Sequence, residues 1–179
     1  MNQDIASTPP FLVFTDLDGS LMEHETYSIE AARPALDALA NRGITPIFAS
    51  SKTAAEIISI QVSNGLAAPF ICENGAAIYE DSRENAEPLA VFGARSSEWL
   101  QEVHDLRERM GWKFSGFTDW SNKEVSTNTG LHEEDAERAR QREFTEPMLW
   151  QDTQANFQLF LEALARRDLT TLEGGRFVS

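Results

Sequence analysis

Residues 11–14, Phe11-Leu12-Val13-Phe14, form a continuous apolar run with no polar alternation. Such a run predicts a short strand covered on both faces, as in a parallel sheet. A polar loop over residues 16–27 follows. Ser28 then stands as a helix N-cap, with Ala31, Ala32, Ala35, Leu36 and Leu39 at helical spacing and Gly43 as the stop. Residues 44–49 predict a second strand, which runs directly into Ser50-Ser51-Lys52-Thr53. A helix is expected from about Ala54, with Ile57, Ile58 and Ile60 as its apolar positions, ending near Gly65. Residues 70–72 and 76–79 are apolar on either side of Glu73-Asn74-Gly75, and Asn-Gly between apolar runs is a hairpin signal.

The first eighty residues therefore predict strand–helix–strand–helix–strand, the pattern of a parallel sheet with helices on its faces. Chemistry in such open sheets sits at the carboxyl ends of the strands. Asp16, Ser50 and Glu73 all fall there. Residues 81–88 are polar and acidic and have the look of a linker. Beyond them the pattern mixes helices with antiparallel strands. Trp99, Val103, Leu106 and Met110 predict an amphipathic helix closed by Gly111. Residues 113–117 are strand-like, 122–128 a short helix before Gly130, and 133–142 a helix charged with both signs. Residues 147–150 predict a strand, and Phe157, Phe160, Leu161 and Leu164 a further helix. Residues 169–172 and 176–178 predict a closing hairpin around Gly174-Gly175. The expected organisation is an α/β core over residues 1–83 and a separate α+β domain over residues 84–179.

Composition narrows the classes. At 179 residues and 41% hydrophobic, the chain can build a globular core. No stretch approaches the roughly 20 apolar residues of a membrane helix. Residues 1–10 carry Asp4 in place of basic residues and no apolar run, so no secretory signal is expected. The single cysteine, Cys72, has no internal disulfide partner; it is expected to be a buried strand residue in a cytoplasmic protein. A formal net charge of −14 argues against nucleic acid or an anionic membrane as a partner. A small phosphorylated ligand needs only a local positive field, which a metal ion can supply. His24, His104 and His132 are scattered, with no metal-ligand spacing.

Asp16-Leu17-Asp18-Gly19-Ser20, set at the end of the first strand, carries the chemistry. Asp and Gly are common in turns, so the pair gains its meaning from its place behind an apolar strand. Phosphoryl transfer to a side chain needs an exposed carboxylate, a cation for the phosphate oxygens and an acid for the leaving oxygen. Asp16 is the expected nucleophile, and Asp18 the general acid and then general base. Both are expected ligands of Mg²⁺, which suits a site of one or two carboxylates. Ser50 would hydrogen-bond a phosphate oxygen beside the next helix N-terminus. One of Ser50, Ser51 and Thr53 is also expected to cap that helix.

At these residues the chain resembles the haloacid dehalogenase-type phosphatases, whose first motif is D-x-D-G-[TS] and whose second places a Ser or Thr where Ser50 stands. Five segments are similar, in order and spacing, to one family within them, the mannosyl-3-phosphoglycerate phosphatases of the Cof-like branch. They are Asp16 to Leu21, Ser50 to Thr53, Glu73-Asn74-Gly75-Ala76, Gln141-Arg142-Glu143-Phe144 and Gly174-Gly175-Arg176-Phe177. The resemblance implies a Rossmann-like core with an inserted α+β cap that reads the sugar and glycerate. It implies hydrolysis of 2-O-mannosyl-3-phosphoglycerate to mannosylglycerate through an aspartyl-phosphate, with Mg²⁺. Ser51, Lys52, Glu73, Asn74, Gly75, Arg142, Glu143 and Arg176 become the implied substrate-binding residues. Arg142, Arg176 and Glu143 read equally as surface charges when taken alone.

The family pattern also calls for a later lysine and a G-D-x-x-[ND]-D acidic motif, and residues 80–179 contain no G-D-x-x-x-D. The core is therefore expected to be incomplete, and the chain a C-terminally truncated form that is inactive or nearly so unless another chain supplies that motif. The alternatives to a sugar-phosphoglycerate phosphatase are action on a glucosyl or other sugar phosphate, a non-catalytic phospho-ligand binder, and a phosphomutase sharing the nucleophile.

Overall fold

The structure is a computed structural model that describes residues 11–23, 28–83 and 86–179. The expected absence of a leader at residues 1–10, and His24, lie outside the described residues. The chain divides into two compact units, residues 1–92 and 93–179.

The first unit is a five-stranded sheet in the order β1-β2-β3-β4-β5, with β1 Phe14–Thr15, β2 Ile47–Ala49, β3 Phe70–Cys72, β4 Ala77–Tyr79 and β5 Ala90–Val91. β1, β2 and β3 are parallel, as the βαβ pattern requires, with Phe14 opposite Ile47 and Phe48 opposite Phe70. β4 returns antiparallel to β3 around the Asn-Gly turn. β5 pairs with β4 and was not anticipated; it carries the first unit past the polar stretch to Phe92, so the units divide beyond residue 83. One expectation is corrected here. The apolar run 11–14 is not covered on both faces: among the described residues β1 is an outer strand of this sheet, and Phe11, Leu12 and Phe14 are exposed.

The crossover helices are α1 Arg33–Ala40 and α2 Ala54–Ser63. α1 starts later than Ser28. The Ser28 hydroxyl instead accepts from Glu30 N–H, and the helix begins where Pro34 occupies the first turn, a position that needs no N–H. α2 starts on a complete capping box. Thr53 Oγ1 accepts from Glu56 N–H, and Glu56 Oε2 accepts from Thr53 N–H. Phe48, Ile57 and Phe70 are fully buried between sheet and helices, each contributing about 2 kcal/mol of apolar transfer. Cys72 is buried in β3, as expected.

The second unit carries α3 Ser96–Met110, β6 Phe114–Gly116, α4 Asn122–Thr129, α5 Glu133–Ala139, β7 Met148–Trp150, α6 Gln154–Ala165, β8 Glu173–Gly174 and β9 Phe177–Val178. Its sheet runs β6-β7-β9-β8, all antiparallel. α3 buries Val103 and Leu106 and ends on Gly111 in the left-handed conformation; Met110 is exposed. These apolar positions pack with Trp112, Phe114, Phe157 and Phe160 into one aromatic core. α5 is shorter than expected and ends before Arg142. The closing hairpin forms later than predicted, over residues 173–178, and Leu172 exchanges two backbone hydrogen bonds with Ser179.

Candidate active site

Asp16, Ser50 and Glu73 each follow the last residue of a parallel strand, β1, β2 and β3 in turn. The loop after β1 is pinned by Leu17, which is fully buried and accepts at its carbonyl from Met22 N–H at 2.8 Å. Gly19 takes φ +70°, which lets the loop turn back and donate its N–H to the Met22 carbonyl. Burying Leu17 places the two flanking aspartates outside the core. Asp16 is exposed, and its Oδ1 accepts from Leu17 N–H at 2.7 Å, which holds the carboxylate at the strand end.

The β2–α2 loop stands next to it. Ser50 is buried, and its hydroxyl accepts from Lys52 N–H at 3.2 Å. Thr53, not Ser50 or Ser51, caps the helix, so the Ser50 side chain is not the capping group. The turn after β3 is tied to this loop. Glu73 N–H donates to the Lys52 carbonyl at 2.9 Å, and Asn74 N–H to the Ser50 carbonyl at 3.2 Å. Three successive residues, Glu73, Asn74 and Gly75, hold positive φ of 46°, 61° and 97°. Such a run is costly for the first two, and the two cross-loop bonds hold it in place. Glu73 is buried beneath the turn while Asn74 and Gly75 face solvent.

Asp16, Ala49, Ser50, Ser51, Ile71, Asn74 and Gly75 line one cavity of about 470 Å³. Five of these are expected site residues. Lys52, Asp18 and Glu73 are not among the lining residues. Lys52 Nζ stands 3.2 Å from Asp18 Oδ1 and 3.8 Å from Glu56 Oε1, with the lysine side chain 11% exposed. The cation expected to meet substrate thus pairs with the expected acid–base residue. Glu56 had no place in the expected site. Its signals were the T-x-x-E box with Thr53 and its i,i+4 spacing from Lys52.

Asp16 and Asp18 are hard carboxylate donors of the kind Mg²⁺ takes, so the residues present fit such an ion in kind. Among the described residues, no group of three or more His, Cys, Asp or Glu side chains is gathered to hold a metal. No helix among the described residues is long and apolar enough to cross a membrane.

The remaining expected residues belong to the second unit. Arg142 Nε donates to Thr145 Oγ1 at 2.8 Å. Glu143 is exposed and paired with Arg95. Arg176 donates to the Asn128 carbonyl, and its guanidinium lies 5.7 Å from the Phe177 ring centre. The carboxylate most deeply placed in this unit is one the sequence did not single out. Glu146 is 4% exposed, and its Oε1 accepts from Thr118 N–H at 2.9 Å and Thr118 Oγ1 at 2.7 Å. Burial pushes its carboxyl above the usual value, and the two Thr118 bonds offset only part of that rise. Asp119 behaves oppositely. Burial alone would raise it, but the Arg107 fork, at 2.6 and 3.0 Å, and Gly116 N–H together hold it below the ordinary range.

The sequence model of the haloacid dehalogenase-like hydrolases matches residues 13–159. A glucosyl-3-phosphoglycerate/mannosyl-3-phosphoglycerate phosphatase of Methanococcoides burtonii is 34% identical over 177 residues, covering 93% of this chain and 65% of the relative. The protein of the same description from Persephonella marina is 32% identical over 176 residues, covering 93% of this chain and 64% of the relative. The chain thus spans just under two thirds of the length of these relatives. In structure it is similar to a haloalkanoate-superfamily phosphatase of Bacteroides thetaiotaomicron, with a TM-score of 0.62 at 14% identity, over 93% of this chain and 65% of that one.

Proposed function

We propose, from the premise that this chain belongs to the haloacid dehalogenase-like hydrolases, that it is a phosphoric monoester hydrolase acting on a sugar-3-phosphoglycerate. The observation that carries the reading is the placement of Asp16 at the carboxyl end of β1. It shares a cavity with Ser50 and Asn74, and the Lys52–Asp18 pair belongs to the same loops. The substrate class is taken from the relatives, whose name covers both the glucosyl and the mannosyl compound.

In this reading an Asp16 carboxylate oxygen attacks phosphorus. The bond from phosphorus to the glycerate oxygen breaks, and that oxygen takes a proton from Asp18. The result is an aspartyl-phosphate and free sugar-glycerate. Asp18, now ionised, accepts a proton from water as the water oxygen attacks the same phosphorus. Phosphate leaves and Asp16 is restored. The Ser50 hydroxyl donates to a phosphoryl oxygen, and the Lys52 ammonium balances phosphoryl charge. Asp16 and Asp18 would hold Mg²⁺, which would supply positive charge to the phosphoryl oxygens. Arg142, Glu143 and Arg176, all in the second unit over residues 93–179, are proposed contacts for the sugar or glycerate.

The test is Mg²⁺-dependent phosphate release by this chain from mannosyl- and glucosyl-3-phosphoglycerate, beside the Asp16→Asn variant. Release by the wild type that Asp16→Asn abolishes supports the reading. Equal release by both sinks the nucleophile assignment. Binding of either compound with no release favours the alternative, a phospho-ligand binder without turnover.

A further inference from the structure

We infer that Glu56 is a positioning residue that holds Lys52 against Asp18, so that a phosphate meets an ordered cation; this rests on the phosphate-transfer reading of Asp16 and Asp18. The Glu56 side chain is 9% exposed, on the first turn of α2, and its two oxygens have separate partners. Oε2 accepts the Thr53 N–H at 2.9 Å, completing the helix cap. Oε1 lies 3.8 Å from Lys52 Nζ, which in turn lies 3.2 Å from Asp18 Oδ1.

A helix cap of this kind needs one acceptor oxygen and no charge, and Gln serves there as well as Glu. A buried carboxylate carries a desolvation cost unless a cation offsets it. The charge at Glu56 therefore has a use beyond the cap, and the group it faces is the Lys52 ammonium. Lysine has a long flexible stem that samples many rotamers when unrestrained. Held between Glu56 and Asp18, Lys52 loses that freedom before any ligand arrives, so binding does not have to supply it. A competing effect has the opposite sign. A carboxylate near an anion site repels the anion, so a Glu56 that acted only by its charge would weaken phosphate binding.

The experiment uses the full 179-residue chain as wild type, Glu56→Gln, Lys52→Met and the double variant. The chain has three lysines, Lys52, Lys113 and Lys123, and the last two are exposed. Trace acetylation followed by mass spectrometry reads Lys52 against these two without any ligand. Glu56→Gln is expected to raise the Lys52 rate at least threefold and to leave Lys113 and Lys123 unchanged. Titration with inorganic phosphate in the presence of Mg²⁺ is expected to show at least threefold weaker binding in Glu56→Gln, and no effect of the same change in the Lys52→Met background. An unmoved Lys52 rate overturns the inference, as does tighter phosphate binding in Glu56→Gln or an equal loss in both backgrounds. Should Glu56→Gln not fold, Glu56→Asp carries the same test, because the shorter side chain withdraws the carboxylate from Lys52. A wild type that binds no phosphate overturns the phosphate reading and with it the purpose assigned to Glu56. A Lys52 rate indifferent to residue 56 overturns the inference alone.

Discussion

Lys52 Nζ lies 3.2 Å from Asp18 Oδ1, joining the loop after β2 to the loop after β1. The lysine is the more buried partner, 11% against 30% exposed, so the pair is shielded from solvent on one side. In the proposed reaction the same ammonium faces a phosphoryl group. Replacing Lys52 with Met is therefore expected to weaken phosphate binding about tenfold, within the range for one charge-assisted hydrogen bond. Titration of both proteins with inorganic phosphate at fixed salt measures it. Unchanged affinity would remove Lys52 from the site.

Thr53→Ala tests the cap of α2. Losing the hydroxyl that accepts Glu56 N–H is expected to destabilise the first unit by about 1 kcal/mol. Amide hydrogen exchange across α2 is the measurement, since it reads this unit alone. Protection equal to wild type would show that the box contributes nothing.

Asn74 sits at φ +61°, where a residue with a Cβ other than Asn or Asp is strained. Asn74→Ala is expected to cost about 1 kcal/mol in the first unit, and Asn74→Gly to cost less. If the side chain also meets ligand, both variants lose phosphate affinity equally. Comparing exchange protection with phosphate titration separates the backbone effect from the side-chain effect.

In the second unit, Gly116 gives room to a buried carboxylate. A Cβ built on Gly116 would overlap Glu146 Oε1. Gly116→Ala is expected to destabilise this unit by about 2 kcal/mol, in the range for overpacking. All four tryptophans, Trp99, Trp112, Trp120 and Trp150, lie in this unit, so their fluorescence during urea unfolding reports it selectively. Adding Glu146→Ala to Gly116→Ala should recover part of the loss; strict additivity would contradict the clash.

Glu146 also sets a pH dependence. Its carboxyl is raised in the folded protein above the ordinary 4.5, because burial penalises the charged form. The neutral form therefore favours folding. That stability is fully present below the ordinary value and is lost as pH rises through the raised one. Asp119, held below its ordinary 3.8, has the opposite sign: its stability is present above that value and lost as pH falls through the lowered one. Glu146→Gln is expected to flatten the decline above pH 4.5 and leave the acid limb intact. Urea midpoints by tryptophan fluorescence across the pH range check this, and an unchanged profile would sink it.

The features legible in the sequence are those whose cause is local. The parallel β1–β3 order, the hairpin at Asn74-Gly75, α2 with its stop near Gly65, and the Gly111 cap all follow from periodicity and short-range capping. The same logic placed Asp16 and Ser50 at strand ends, because an apolar run followed by a polar residue marks that end wherever the strand lies. Local pattern failed where burial depended on a distant neighbour. The run at residues 11–14 predicted a covered strand, yet among the described residues no strand flanks β1 on its outer side in this sheet. β5 was not anticipated, because two residues of pairing carry little periodic signal.

Tertiary structure alone decided which charges meet. It brought Lys52 to Asp18 and stitched Glu73 and Asn74 to the carbonyls of Lys52 and Ser50. In the second unit it paired Glu143 with Arg95, and it buried Glu146 against Thr118 and Gly116. A carboxylate's role depends on what surrounds it, and those surroundings come from segments far apart in the chain. The residue types at Asp16 and Asp18 named the chemistry from sequence; only the folded chain assigned them their neighbours, because Coulomb and hydrogen-bond energies act across a few ångströms of space and not along the sequence.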